Sequence, residues 1–314
     1  MSAALVLALS LTAAASLAQD YPNRPVRIVI GFGPGSVADI TARVLGSHMG
    51  QTLGQQFVVE NRVGAGSSLG AEYVARASKD GYTLFMATIA NTINPALSHL
   101  PFDFAKDLAP VSLVAASPQL LVAHPSLGVS SVQDLIALAK SRPEPIHYAC
   151  SGMGTLSHLS GLLLNSMAGI TLVPVPYPGS AQGVNDVLAG RVPVMFSSIA
   201  TVWPHVMSGK LKALATTQLK RLAIAPDLPT MTEAGVLGLE IDGWVGLFAP
   251  AKTPPNAIAR LQREIAHAMP ELKPRFEAAG GERMDVPPER LKSFLQADYD
   301  KWIKIIREAD IRLE

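Results

Sequence analysis

Two glycine-rich loops contain the residues best suited to bind a small ligand. The first is Gly31-Phe-Gly-Pro-Gly-Ser-Val-Ala-Asp39, which follows the apolar run Val26–Ile30 and opens a segment with helical periodicity. A strand that breaks at glycines and continues as a helix leaves backbone N–H groups unpaired at the start of the helix. Because the helix dipole adds partial positive charge there, this loop is suited to hold a carboxylate or a phosphate.

The second loop repeats this arrangement further along the chain. Cys150-Ser-Gly-Met-Gly-Thr155 also stands between an apolar run and a helix, and it adds hydroxyl groups at both ends. Pro34 in the first loop has no N–H group, so the donors there must come from Gly33, Gly35 and the residues beyond them. We expect the two loops to face each other around one negative charge. The alternative is that each is a tight strand–helix turn that binds nothing.

Two polar side chains next to these loops are further candidates. His158 lies three residues after Thr155, one turn into the second helix, so its imidazole could donate to a carboxylate. The alternative is a histidine whose hydrogen bonds are satisfied within the fold. Asp39 follows Ser36 by three residues, which fits a capping box with Asp in place of Glu. We expect Asp39 to cap its helix or to order the loop rather than to meet an anion.

Covalent catalysis needs a nucleophile next to a base, and the Cys–His pair that we consider is Cys150 with His158. Cys150 ends an apolar strand, where a small buried thiol is the expected explanation. No His-x-x-x-His pair occurs, so a zinc site on a helix has no support. The sequence therefore predicts a protein that is not an enzyme and has no metal and no cofactor.

A dinucleotide site is the main alternative for the first loop. Gly31-x-Gly33-x-x-Ser36 nearly matches the Gly-x-Gly-x-x-Gly fingerprint, and Glu60 ends the next strand where a ribose-binding acid belongs. However, Ser36 replaces the third glycine, and Pro34 crowds the position of the pyrophosphate. An exported NAD-dependent oxidoreductase would also need its cofactor outside the cytosol, so we consider this alternative the weaker one.

The composition excludes some partners and suggests two domains. The chain has 314 residues, a formal net charge of +1 and 16% charged residues, against about 25% in ordinary soluble proteins. This length exceeds what a single core usually supports. Near-neutral charge argues against nucleic acid as a partner, because nucleic-acid-binding proteins carry basic patches. A single cysteine, Cys150, forbids an intrachain disulfide.

Residues 1–18 have the features of a secretory signal peptide. Leu5–Leu11 is an apolar core, and Ser16-Leu-Ala18 resembles an A-x-A cleavage site, although no basic residue precedes the core. The alternative is an N-terminal membrane anchor, but the apolar run is shorter than the roughly 20 residues that a span needs. We therefore expect export to the periplasm.

The elements that position these loops are predicted from hydrophobic periodicity. The first part alternates strands and helices, as expected for a parallel sheet with helices on both faces. Its strands are Arg27–Ile30, Phe57–Glu60 and Tyr82–Ala87, and its helices begin at Ser36 and Leu69. Thr88 to Asn94 is predicted to be a polar loop at the ligand-binding edge of this sheet, followed by an irregular segment to Asp107.

A second β/α set and a helical end follow. The predicted strands are Ile146–Ala149, Leu172–Val175, Val192–Phe196, Leu211–Ala215 and the returning Ile241–Phe248, and three helices follow at about 255–268, 271–279 and 288–308. We predict a discontinuous domain 1 (residues 19–119 and 244–314) and an inserted domain 2 (120–243). Two crossing segments between them form a hinge, a geometry that encloses ligands.

Several short motifs, in this order and spacing, resemble the Bug-type extracytoplasmic solute receptors, the binding components of tripartite tricarboxylate transporters. They are Tyr21-Pro-Asn-Arg-Pro-Val-Arg27, Phe32-Gly-Pro-Gly35 with Asp39 and Arg43, Glu60-Asn-Arg-Val-Gly-Ala-Gly66, Asp80-Gly-Tyr-Thr-Leu84, Asn94-Pro95, Ser151-Gly-Met-Gly-Thr155 with His158, Val175-Pro-Tyr-Pro-Gly-Ser180, Gly209-Lys-Leu-Lys-Ala-Leu214, Leu228-Pro-Thr230 with Glu233-Ala-Gly235, and Trp244 before Ala249-Pro250.

The resemblance implies an α/β fold with two lobes, similar to a type II periplasmic binding protein, with mixed sheets flanked by helices. It implies a monomer that closes on a small carboxylate and delivers it to a membrane permease; a ligand-sensing receptor for a signalling partner is the alternative. The implied ligand-binding residues are Phe32, Gly33, Pro34, Gly35, Ser36, Asp39, Thr88, Asn94, Ser151, Gly152, Gly154, Thr155, His158, Tyr177 and Gly179.

The sequence departs from the family pattern at three positions. Ser36 stands where the family usually has Gly, Ser67 stands where a further Gly is common, and Val63 replaces a common Pro. Ser36 adds a hydroxyl and a side chain to the floor of the predicted site. The preferred ligand is therefore expected to differ among relatives.

Overall fold

A computed structural model describes residues 21–241, 243–278, 282–284, 286–309 and 311, and the predicted signal peptide lies outside them. The described residues form two lobes, each built on a mixed β-sheet flanked by helices. The strands are β1 (Val26–Ile30), β2 (Phe57–Asn61), β3 (Thr83–Thr88), β4 (Leu108–Ser117), β5 (Gln119–Ala123), β6 (Ile146–Cys150), β7 (Leu172–Pro176), β8 (Val194–Ser198), β9 (Lys212–Thr216), β10 (Gly243–Pro250) and β11 (Glu282–Arg283).

Helices cover both sheets. They are α1 (Val37–Leu53), α2 (Ser68–Ala75), α3 (Ala90–Leu97), α4 (Phe104–Asp107), α5 (Val132–Ser141), α6 (Leu156–Ala168), α7 (Ser180–Leu188), α8 (Ile199–Met207), α9 (Pro255–Ala278) and α10 (Leu291–Glu308). Within the described ranges, none is long and apolar enough to cross a membrane.

The first sheet has the strand order β11-β4-β10-β3-β1-β2 and the second has β7-β6-β8-β5-β9. In the first sheet β1 pairs in parallel with β2 and β3, as the βαβ pattern predicts, and β10 returns antiparallel between β3 and β4. In the second sheet β6 pairs in parallel with β7 and β8, while β5 is antiparallel to both of its neighbours. The mixed sheets confirm the predicted fold class.

The chain moves between the sheets twice. Pro118 alone separates β4 of the first sheet from β5 of the second, and the return lies between β9 and β10. Both crossings fall close to the positions expected from sequence, and the division into the two predicted domains remains our interpretation of this connectivity.

Two stretches fold differently from the sequence prediction. The predicted polar loop from Thr88 is instead the start of α3, because Ile89, Ala90 and Ile93 are buried and Asn91 Oδ1 accepts a hydrogen bond from Thr88 N at 3.1 Å. Part of the segment to Asp107 that we expected to be irregular is also helical, in α3 and α4.

The first two of the three predicted C-terminal helices form one helix, α9. It continues through Pro270 and Pro274, although an internal proline removes a hydrogen bond and usually kinks a helix. The apolar face outweighs that loss, because Leu261, Ile265 and Leu272 are fully buried against the first sheet at helical spacing. The helix α8 was not predicted at all.

Candidate functional site

A small cavity lies between the two sheets, at the edge where the crossing segments meet. Its volume is about 50 Å³. Residues of both lobes line it: Phe32, Ser36, Val37, Thr88, Ile89, Ala90, Ser117, Gln119, Ser151, Thr155, Leu156, Ser180, Ser198, Gly243 and Trp244. Of the residues predicted from sequence, Phe32, Ser36, Thr88, Ser151 and Thr155 are among them.

Five helices begin at this cavity. Each contributes its cap or its first residue to the lining: Ser36 and Val37 of α1, Ile89 and Ala90 of α3, Thr155 and Leu156 of α6, Ser180 of α7, and Ser198 of α8. A helix N-terminus carries roughly half a positive charge and favours an anion by about 0.3–1 kcal/mol, or up to about 2 kcal/mol when partly buried. The sequence predicted two of these five helix starts, those of α1 and α6.

The lining is polar but carries no charge. None of the described residues around the cavity is Lys, Arg, Asp or Glu, and seven of them carry a hydroxyl: Ser36, Thr88, Ser117, Ser151, Thr155, Ser180 and Ser198. Positive potential here therefore comes from backbone dipoles. At the starts of α1 and α6, the N–H groups of Val37, Ala38, Leu156 and Ser157 donate to no acceptor among the described residues.

The first loop is held by Asp39 rather than left open. Ser36 caps α1, and its Oγ accepts from the N–H of Asp39 at 3.3 Å. The Asp39 carboxylate in turn accepts from Gly35 N at 3.0 Å. The expectation that Gly35 supplies a free amide donor is therefore wrong, because that donor is already paired. The expectation that Asp39 orders the loop is confirmed.

Arg43 and Asn61 complete this support. Arg43 bonds both oxygens of Asp39, at 3.0 and 2.9 Å, and Asn61 Nδ2 donates to Asp39 Oδ1 at 3.0 Å and to the carbonyl of Phe32 at 2.8 Å. Burial alone would raise the pKa of Asp39, but the bonds from Arg43, Gly35 and Asn61 outweigh it and hold this pKa below its ordinary value. Asp39 is thus ionised, and its hydrogen bonds hold the loop in place.

The second loop is held by its own hydroxyl groups. Ser157 Oγ accepts from Ser151 N at 2.9 Å, and Thr155 Oγ1 donates to the carbonyl of Gly152 at 2.7 Å. Gly154 N donates to Nδ1 of His158 at 3.3 Å. These bonds fix the loop without a charged residue.

His158 acts as a neutral group in this arrangement. Its side chain is 1% exposed, and burial lowers the pKa of the imidazole to about 4, so the ring carries no charge at neutral pH. With Nδ1 accepting from Gly154, the proton lies on Nε2. His158 therefore holds the loop and contributes no positive charge, and its direct contact with a ligand stays a prediction.

Three other predicted residues bond to the framework around the cavity. Asn94 donates to the carbonyl of Gly66 at 2.7 Å, and the hydroxyl of Tyr177 donates to Asp186 at 2.7 Å. Thr88 lines the cavity, and its Oγ1 accepts from the N–H of Ala90 at 3.3 Å. Asn94 and Tyr177 thus organise neighbouring loops, and ligand contact by either stays a prediction.

The lobes touch on both sides of the cavity. A Cβ placed on Gly33 would lie 3.4 Å from Gln182 Nε2, and one placed on Gly179 would lie 3.5 Å from Gly33 N. On the other side, a Cβ placed on Gly66 would lie 2.8 Å from the carbonyl oxygen of Met153. These approaches explain why the cavity is small.

Several lining residues were missed by the sequence prediction. Ser198 ends a buried strand and caps a helix, which is the same signal as in the two loops but without a glycine. Gln119, Ser117, Gly243 and Trp244 stand at the crossings between the sheets. Strand pairing brings them together, and no local pattern marks that pairing.

The geometry gives the catalytic and dinucleotide alternatives little support. Cys150 is fully buried, and burial raises the pKa of its thiol to about 11, so the thiolate nucleophile is not formed at neutral pH. Glu60, proposed above as a possible ribose-binding acid, is paired with Arg27 and Arg62 at 3.3 and 2.6 Å. No cluster of potential metal ligands occurs among the described residues.

A larger groove of about 1210 Å³ lies on the first lobe, between α3, the segment after it and α10. All of its lining residues belong to the first lobe, including Lys106 and Lys292. Closure of one lobe on the other cannot enclose it. The small cavity is therefore the better candidate for a ligand site, despite its size.

The chain also matches known proteins over most of its length. A sequence model of the "Tripartite tricarboxylate transporter family receptor" matches residues 41–311. Protein BugT of Bordetella pertussis is 33% identical over 302 residues, which cover 95% of this chain and 93% of BugT. An R. palustris protein solved with adipate has a TM-score of 0.90 at 33% identity, over 93% of this chain and 99% of that one. MatC from Rhodopseudomonas palustris, solved with bound malate, has a TM-score of 0.87 at 30% identity, over 91% of this chain and 100% of MatC.

Proposed function

The chain belongs to the tripartite tricarboxylate transporter receptor family, and from that premise we propose that it captures a small organic carboxylate between its lobes in the periplasm. It then delivers the ligand, as a monomer, to the membrane permease of a tripartite tricarboxylate transporter. In this role it binds and releases the ligand without changing it chemically.

The observation that carries this proposal is the convergence of five helix N-termini on an uncharged cavity. Five dipoles of one sign favour a negatively charged group, and unpaired N–H groups at the starts of α1 and α6 supply hydrogen-bond donors. A neutral solute could accept hydrogen bonds from these N–H groups but would gain no attraction between a net charge and the dipoles. A cation would be repelled by the dipoles.

We propose direct ligand contacts for Phe32, Ser36, Thr88, Ser151 and Thr155, which line the cavity. The other predicted residues hold or shape the loops around it: Gly33, Pro34, Gly35, Asp39, Asn94, Gly152, Gly154, His158, Tyr177 and Gly179. Adipate and malate, present in the related structures, are both dicarboxylates, and we propose a ligand of the same class.

A carboxylate placed in the cavity by mutation tests the role of the helix dipoles. Ser198 occupies the N-cap position of α8 at the cavity, with its hydroxyl 2.9 Å from that of Thr201. Asp is an equally good N-cap residue, so Ser198→Asp is expected to fold. Two like charges about 4 Å apart repel by roughly 4 kcal/mol at an effective dielectric of 20. Titration calorimetry of ligand-free protein with mono-, di- and aromatic carboxylates should show saturable binding that Ser198→Asp weakens at least about a hundredfold.

Ser131→Asp is the matched control, because Ser131 caps α5 and lies outside the cavity lining. It should bind as the wild type does. If the folded, ligand-free wild-type protein binds none of the carboxylates in the panel, the proposed function is overturned. Equal binding by wild type and Ser198→Asp would overturn the assignment of the site.

A further inference from the structure

One exposed surface of the first lobe combines apolar side chains with arginines. Leu69 in α2 is 52% exposed, and Val63 in the loop before α2 is 42% exposed. A surface hollow of about 560 Å³ places Leu69 beside Tyr73 and Arg76. None of these four residues lines the interlobe cavity. The surface is therefore open to a partner while the cavity holds a ligand.

Tyr73 connects two further arginines to this hollow. The guanidinium group of Arg62 lies 3.7 Å from the centre of its ring, and Arg27 Nη1 donates to its hydroxyl at 2.7 Å. Glu60 pairs with both of these arginines, at 3.3 and 2.6 Å. The aromatic ring thus holds two guanidinium groups side by side at the surface.

The arginines of this surface are more exposed than the carboxylates that pair with them. The side chain of Arg76 is 67% exposed, and that of its partner Glu72 is 20% exposed. Three arginines against two carboxylates leave a net charge of +1. A partner would therefore meet guanidinium groups next to apolar side chains. We call this surface the arginine face, and it consists of Arg27, Arg62, Val63, Leu69, Tyr73 and Arg76.

The arginine face extends to the contact between the lobes. A Cβ placed on Gly64 would clash with Leu69 Cδ1, and a Cβ placed on Gly66 would lie 2.8 Å from the carbonyl oxygen of Met153 in the second lobe. The side chain of Met153 is itself exposed. The arginine face therefore borders the second lobe only while the two lobes are in contact.

We propose that the arginine face docks on the membrane permease, through a segment of the permease that is acidic and apolar and faces the periplasm. Opposite charges speed the encounter of two proteins and fix their orientation, and the apolar side chains supply area to bury. Because the face borders the second lobe only in the closed form, the permease can distinguish a closed receptor from an open one. This inference rests on the proposed function and names the surface that performs the delivery.

Uptake of the carboxylate by the permease in neutral phosphatidylcholine vesicles tests the docking. The vesicles are titrated with receptor saturated with the tightest-binding carboxylate of the panel in radiolabelled form. Arg76→Glu reverses the net charge of the face, so it should raise the receptor concentration that gives half-maximal uptake at least about tenfold. The affinity for the carboxylate, measured by calorimetry, should stay at the wild-type value.

Arg142→Glu is the matched control for this charge reversal. Arg76 and Arg142 both occupy the C-cap position of a helix, α2 in the first lobe and α5 in the second. Arg142→Glu should therefore keep the wild-type titration curve. The difference between Arg76→Glu and the wild type should also shrink from about 0.1 M to about 1 M salt, where the Debye length falls from about 10 Å to about 3 Å.

Leu69→Ser tests the apolar part of the arginine face without changing a charge. It should also raise the half-maximal receptor concentration, by at least about threefold, because it removes apolar area from the docking surface. Leu237→Ser is the control, since Leu237 is even more exposed and lies between β9 and β10. If Arg76→Glu does not fold, Leu69→Ser decides the question.

Each remaining outcome overturns the inference. Wild-type titration curves for Arg76→Glu and Leu69→Ser, or equal losses in Arg76→Glu and Arg142→Glu, would overturn it and leave the proposed function standing. Binding to permease-free phosphatidylglycerol vesicles that Arg76→Glu abolishes would assign the face to the membrane instead. If the wild type binds the carboxylate but supports no uptake, the proposed delivery fails and the inference fails with it.

Discussion

Ser67, in the loop between β2 and α2, combines two unfavourable features in a single residue. Its φ is 84°, in the left-handed region, which costs a residue with a Cβ about 1–2 kcal/mol. Its Oγ is buried and has no partner among the described residues. We expect Ser67→Gly to raise the free energy of unfolding by about 1 kcal/mol, as measured by urea denaturation.

Ala65 provides the control, because its φ of 47° is also left-handed but its side chain is exposed. Ala65→Gly should relieve the backbone alone and stabilise less than Ser67→Gly does. A loss of stability in Ser67→Gly would show that packing of the serine against Gly31 matters more than the strain.

His158 makes the stability of the fold depend on pH. Its pKa is about 4 in the folded protein, because of burial, and 6.5 in the unfolded chain. Between these values the unfolded chain binds a proton that the folded protein does not. The free energy of unfolding should therefore keep its full His158 contribution above pH 6.5 and lose it as the pH falls towards 4, by roughly 3 kcal/mol at most.

Urea denaturation at several pH values between 7.5 and 4.5 measures this dependence. His158→Gln should flatten the curve in this range, while His99→Gln, which changes an exposed histidine, should keep the wild-type slope. A wild-type slope in His158→Gln would assign the pH dependence to other groups.

At the scale of elements, much of the site follows from local signals that the sequence displays. A buried strand, a glycine-rich turn and a capped helix are all encoded within about 25 residues of each other, so α1, α6 and the loops before them could be predicted. Ser198 could not be predicted from these signals, because its strand–helix junction has no glycine. Gln119 and Trp244 show a deeper limit, since they meet at the cavity through strand pairing between distant segments.

Asp298 joins three elements behind the cavity. Its carboxylate on α10 accepts from Thr92 Oγ1 of α3 at 2.6 Å, from Trp244 Nε1 of β10 at 3.0 Å and from Trp302 Nε1 of α10 at 3.2 Å. Asp298→Ala leaves the two indole N–H groups unpaired, while Thr92 Oγ1 keeps the carbonyl of Ile89 at 2.8 Å. It should therefore lower the free energy of unfolding by about 2–4 kcal/mol. Ligand affinity should fall as well, because Trp244 lines the cavity.

Asp300 on the same helix supplies the comparison. It is exposed and accepts from Gln296 at 3.0 Å, so Asp300→Ala should change the stability by no more than about 0.5 kcal/mol. Thermal unfolding and calorimetry of the two variants would separate the buried network from a surface charge. Equal small effects in both would contradict the role given to Asp298.

At the scale of the molecule, the sequence predicted two lobes and a hinge, and the structure adds the contacts by which the lobes meet. Gly66 has a φ of 58°, and a Cβ there would lie 2.8 Å from the carbonyl oxygen of Met153 in the other lobe. Gly66→Ala should therefore hold the lobes apart. We expect ligand affinity to fall at least about tenfold and small-angle scattering with saturating ligand to show a larger radius of gyration.

Gly54→Ala separates the effect of left-handed backbone strain from the effect of the steric clash between the lobes. The φ of Gly54 is 66° and nothing lies within 4 Å of a Cβ placed on it. Gly54→Ala and Gly66→Ala should each lose about 1 kcal/mol of stability to left-handed strain, but Gly54→Ala should keep wild-type affinity and compactness. Identical affinities in the two variants would show that this contact does not take part in closure.

The central claim is that helix N-termini, and no charged side chain, hold the ligand carboxylate between the lobes. A crystal structure of the protein with the tightest-binding carboxylate of the panel tests it most directly. The account predicts the carboxylate in the cavity lined by Ser36, Thr155 and Ser198, bonded to main-chain N–H groups of α1 and α6. A ligand seated in the groove beside α10, or a carboxylate paired with a lysine or an arginine, would contradict it.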